Sequence, residues 1–164
     1  MIPRAPTPVR AALSFLLLCA AVLSIGGAAG GQEPRRWSQH QLQEWLKAVH
    51  EKVVKDTDRI VVLARNLRHE VEEKPEDLIS PALRERVRAL DTKAKRLQEA
   101  VEEADENVLS IPVVKSAEEV RDQARSLRRN FELHPARRQL ERYWQFCREI
   151  EQRAEAVRKR TGNP

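Results

Sequence analysis

Four apolar stripes, each stepping alternately by three and four residues, constrain this 164-residue chain more than any other feature. The clearest runs through Leu83, Val87, Leu90, Ala94, Leu97, Val101, Ala104 and Val108. A second passes through Ala117, Val120, Ala124, Leu127 and Phe131, and a third through Leu140, Tyr143, Cys147, Ile150, Ala154 and Val157. The upstream stripe holds Leu42, Leu46, Val49, Val53, Ile60, Leu63 and Leu67, with Asp56 where an apolar residue belongs. A spacing of three and four keeps one edge of a helix facing its neighbours. The expected fold is therefore all-α: an antiparallel, up-down-up-down four-helix bundle with coiled-coil-like packing.

Caps and prolines divide the stripes. Ser38 and Gln41 have the spacing of a capping box and open a first helix over 38–73, which Lys74-Pro75 ends. Ser80-Pro81 supplies a cap and a first-turn proline for a second helix over 80–109. Ile111-Pro112-Val113-Val114 reads as extended linker, and Ser116 with Glu119 as a capping box for a third helix over 116–133. His134-Pro135 and a jump in register set apart a fourth helix over 136–160. On these bounds the third helix is about half as long as the first, so the linker either plugs the remaining seam or leaves a groove.

The first 31 residues have the layout of a secretory signal peptide. Arg4 and Arg10 form a basic start, residues 11–25 are uncharged, and Gly26 to Gly31 are all small. Cleavage leaves one helical-bundle domain over 32–164; the alternative is a membrane anchor formed by residues 11–31. The expected location is exported, periplasmic or extracellular, with a bacterial envelope favoured. Leu18 stands where a lipoprotein signal before Cys19 needs a small residue, which excludes a lipobox. After cleavage Cys147 is the one thiol left, so no internal disulfide staples the fold.

Charge and chemistry narrow the function. Lys and Arg number 30 against 25 Asp and Glu, and Arg4 and Arg10 leave with the leader, so the mature charge is about +3. Its acids and bases are interleaved, which suits solvated helix faces and not a nucleic-acid footprint. The helix 1–2 turn is acidic and the helix 3–4 turn basic, and Glu102 and Glu103 are expected to face Arg153, Arg158 and Arg160 at the other pole. No Glu-x-x-His motif exists, and the pairs His40–Glu44 and His69–Glu73 read as ordinary surface pairs, so no metal and no cofactor is expected. The serines fall mainly at caps, Cys147 sits on a packing seam, and glycine is nearly missing after Gly31, which argues against an enzyme.

Aromatic residues remain as candidate partner contacts, because they bury large areas at low entropic cost. Trp37 and Trp45 lie early in helix 1, and Tyr143, Trp144 and Phe146 within one turn of helix 4. The expected function is an exported, non-enzymatic bundle acting through protein–protein contacts with a partner or with itself. It contacts a membrane only if the amino-terminal segment is retained. The alternative is a ligand or metal carrier using a partly uncovered seam.

Overall fold

The computed structural model describes residues 38–104 and 110–162. The leader, Trp37, Val108 and the expected end of helix 2 at 109 lie outside these residues. Within them the chain is all-helical: α1 spans Gln39–Glu72, α2 Pro81–Ala104, α3 Ile111–Glu132 and α4 Glu141–Gly162, with a 3₁₀ turn at Arg137–Leu140 before α4. None of these helices is long and apolar enough to cross a membrane.

The helices pack as a bundle around one apolar core. Leu83, Val87, Leu90, Ala94, Leu97 and Val101 of α2 are all buried, as are Val113, Ala117, Val120, Ala124, Leu127 and Phe131 of α3. From α4 come Tyr143, Cys147, Ile150, Ala154 and Val157. The α1 stripe enters the core at Val49 and runs through Val53, Ile60, Leu63, Leu67 and Val71; Leu42 and Leu46, nearer its start, are half-buried. Burial of apolar surface at about 25 cal/mol per Å² is the term that holds such a bundle together.

Charged pairs record which residues lie side by side. Between α1 and α2, Arg68 meets Asp91 at 3.1 Å and Arg88 meets Glu72 at 3.1 Å. Lys93 of α2 reaches Glu119 of α3 at 3.7 Å. Arg121 of α3 meets Glu155 of α4 at 3.1 Å, and Arg125 and Arg128 both grip Glu151 at 2.8 Å. Between α1 and α4, Asp56 pairs with Arg153, Arg59 with Glu149, and Glu70 with Arg142. The expected pairing of Glu102 and Glu103 with the α4 arginines does not form. Arg153 and Arg160 turn to Asp56 and Arg158 to Glu155, because these acids lie on the helices that α4 packs against or on α4 itself.

Several terminators are as expected. The Ser38 hydroxyl accepts from the Gln41 amide at 3.2 Å, and the Gln41 side chain accepts from the Ser38 amide at 3.0 Å. The Ser80 hydroxyl accepts from the Leu83 amide at 3.3 Å, with Pro81 opening α2. Arg84 completes this corner by donating to the carbonyls of Glu72, Lys74 and Ile79. Carbonyls at the end of α1, which have no partner within the helix, thus find one in the next helix.

The third helix corrects the sequence reading. It begins at Ile111, not at Ser116, with Ser110 extended at the cap position and Pro112 in the first turn. A proline there costs nothing, since first-turn amides have no intrahelical acceptor. Val113 extends the stripe and is fully buried, so the expected linker is a helical turn and the Ser116–Glu119 box does not form. With 22 residues each, α3 and α4 match in length, and the segment expected as a linker packs on the core as a turn of helix. The fourth helix is likewise shifted: residues 137–140 wind as 3₁₀, and the α-helix runs from Glu141 to Gly162 in place of 136–160.

Asp56, the misfit of the first stripe, stays at the edge of the core. Thr57 rotates into the core in its place, 1% exposed, while Asp56 accepts from Arg153 at 2.7 Å and also pairs with Arg160. The acid that breaks the stripe is a bridge to α4.

Candidate functional site

The candidate aromatic residues divide into a core member and a flank. Tyr143 belongs to the interior, 3% exposed, its ring 5.8 Å from that of Phe131 and its hydroxyl donating to the Glu70 carbonyl at 3.4 Å. Burial pushes its phenol above the usual range, aided by nearby Glu70. It is a packing residue, and as a surface contact the reading of Tyr143 is corrected. Helix geometry explains this: Tyr143, Cys147 and Ile150 fall on one edge, and only that edge faces α1 and α3.

Trp144 and Phe146 sit on either side of that edge. Both are partly buried against the core and keep part of their surface outward. An arginine from the same helix covers each ring: the Arg148 guanidinium lies 5.4 Å from the Trp144 ring centre, and Arg142 lies 5.4 Å from that of Phe146. Such cation–π pairs are worth about 0.5–1 kcal/mol at exposed sites. The Trp144 indole N–H is buried and has no acceptor among the described residues. Trp45 is half-buried and also packs against the core, and Trp37 lies outside the described residues.

Cys147 is fully buried, and burial pushes its thiol far above the ordinary range. A thiol held protonated is not a nucleophile. His40–Glu44 and His69–Glu73 are exposed pairs at 3.8 and 3.3 Å, and no cluster of three or more metal-ligating groups exists among the described residues.

The acids of α4 are tightly held. Hydrogen bonds from Arg158, and from Arg121 across the α3–α4 seam, bring Glu155 down to about 2 against the cost of burial. For Glu151, burial works upward, and the bonds from Arg125 and Arg128 outweigh it. Glu149 follows the same pattern, with Arg59 and Arg153 prevailing over burial. These acids stay ionised at neutral pH and serve the seams.

Two features lay beyond sequence reading. One is the arginine cover over each flanking aromatic ring, although the spacing of four in Arg142–Phe146 and Trp144–Arg148 is a signal that can be searched for. The other is a hollow between α1 and α2, for which single residues carry no mark. A comparison with protein-family models, curated proteins and solved structures finds no match to this chain.

Proposed function

We propose that this chain is an exported, non-enzymatic bundle of up-down-up-down topology that acts through protein–protein contacts made by the flank of α4. The topology is supported by the pairs between helices. As residue number rises along α1 from Asp56 to Arg59 to Glu70, it falls along α4 from Arg153 to Glu149 to Arg142. Export is supported by the composition of residues 1–31, with its short basic start, uncharged stretch and small-residue end.

The observation that carries the contact reading is the pair of arginine-covered rings, Trp144–Arg148 and Phe146–Arg142. Tryptophan and arginine are the residues most enriched where binding energy concentrates, and a rigid ring already desolvated on one face loses little entropy on docking. The orphaned Trp144 N–H offers a donor that a small rotation brings to a partner's carbonyl.

Alanine variants of Trp144 and Phe146 test the reading. If the flank is a docking surface, each variant weakens self-association or partner capture, measured by sedimentation, while the melting temperature of the monomer changes little. Loss of about 3–5 kcal/mol in stability with association intact would make both rings simple core residues.

A further inference from the structure

Two adjoining hollows lie along α1, of about 410 and 260 Å³; the larger is lined by α1 residues alone, and both include His50, Val54 and Asp58. The smaller also reaches Thr57 on α1 and Val101 and Glu102 on α2. Two polar atoms in its lining are buried without a hydrogen-bond partner: His50 Nδ1 and Thr57 Oγ1. The threonine stands out within this molecule. Thr92 and Thr161 each donate their hydroxyl to the carbonyl four residues earlier, at 3.1 and 2.9 Å. Thr57, 1% exposed, makes no such bond. A buried hydroxyl left unpaired is a standing cost, so a ligand that satisfies it recovers that cost.

The lining defines the ligand's chemistry. Glu51, Asp58 and Glu102 put three carboxylates on the trough against one base, Lys55, and none of the three acids has an ion pair among the described residues. That surplus selects a cation. An ammonium group can donate to the Thr57 hydroxyl oxygen and pair with the carboxylates at once, so an amine answers both features of the lining. His50 and Thr57 stand seven residues apart on one face, about 10 Å along the axis, which exceeds the span of any single metal ion's ligand shell. Between them lies Val54, opposite Val101 of α2, an apolar stretch suited to methylene groups. We propose that this trough binds a linear aliphatic polyamine, one terminal amino group at the His50–Glu51 end and another at the Thr57–Asp58–Glu102 end, with the methylene groups over Val54 and Val101 and any internal amine turned outward to water.

This proposal is independent of the α4 contact surface and is tested on the full chain with spermidine, whose extended length matches the separation of the two ends. Titration calorimetry at physiological salt should give saturable one-to-one binding. Butylamine, with one charge, and 1,2-diaminoethane, too short to span the trough, should bind at least about tenfold more weakly. Thr57→Val keeps the shape and removes the acceptor, and Glu102→Gln removes one charge; each should weaken spermidine about tenfold with the unfolding curve unchanged or improved. Glu85→Gln, an exposed acid elsewhere on α2, should leave binding as it is. Absence of saturation at millimolar spermidine, equal binding of the three amines, or undiminished binding to Thr57→Val would each overturn the proposal.

Discussion

Asp56 on α1 and Arg153 on α4 stand 2.7 Å apart, joined across 97 positions of sequence, and Arg160 closes on the same carboxylate from about two helical turns further along. The Asp56 side chain is only 15% exposed, so this bridge is partly withdrawn from solvent. It pins the rotation of α1 against α4, since turning α1 to bury Asp56 expels Thr57 and leaves both arginines without their acid.

Asp56→Asn should therefore destabilise by about 1.5–3 kcal/mol, the range for hydrogen bonds to charged groups. Denaturant unfolding of the single variants Asp56→Asn and Arg153→Ala, with the double variant, measures the coupling. Strictly additive losses would show that the two side chains do not cooperate.

Acid should loosen the seams between the helices. Glu155 has an ordinary value of 4.5 and is held at about 2 in the fold. The folded chain takes up that proton less readily than the unfolded one, so the ionised group contributes stability above about pH 4.5 and loses it as pH falls towards 2. Glu72, Glu149 and Glu151 are lowered as well and shift in the same direction. Melting temperature recorded from pH 6 to about pH 2 should fall through this window, and Glu155→Gln should flatten part of the decline. A profile that is level to about pH 2 would contradict the arginine-held state of these acids.

Caps separate real helix starts from apparent ones. Ser38→Ala removes a formed capping box and should cost about 0.5–2 kcal/mol. Ser116→Ala, within α3, should change stability by no more than about 0.5 kcal/mol and in the stabilising direction, as alanine suits a helix interior better than serine. A loss near 1 kcal/mol at Ser116 would return the helix start to that residue.

The central seam of α2 gives the largest expected effects. Leu90→Ala and Leu97→Ala each empty a fully buried position and should cost about 2–5 kcal/mol. Arg88→Ala, exposed and paired only with Glu72 and Glu85, should cost no more than about 1 kcal/mol. Similar losses at all three positions would mean that the stripe is not the packing face.

What the sequence disclosed, and what it withheld, follows from the range of each force. Leu83 through Val101 could be read as a buried stripe because helical period is local, and Ser38 and Ser80 because a cap satisfies its own first turn. The start of α3 is not legible because the β-branched run at Val113-Val114 and the proline at 112 favour extended backbone in isolation; tertiary burial of Val113 decides otherwise. Asp56 was visible as a misfit, but its choice of Arg153 depends on how two helices rotate after packing. Tyr143 and Trp144 are adjacent in sequence and differ in role through one hundred degrees of helix turn. The α1–α2 trough left no trace, since an unpaired hydroxyl at Thr57 exists only once its surroundings are built.

The burial of Cys147 sets a clock. In an oxidising space outside the cytoplasm, an odd thiol invites disulfide exchange with any other exposed sulfur. Once packed in the core, this one is out of reach, so vulnerability is confined to the interval before the core is complete. Thiol-specific labelling of the folded protein should accordingly proceed at the rate of global opening and reach completion at once in denaturant. For a chain exported as we propose, the choice between monomer and covalent dimer is then decided by a race between packing and oxidation, run once per molecule.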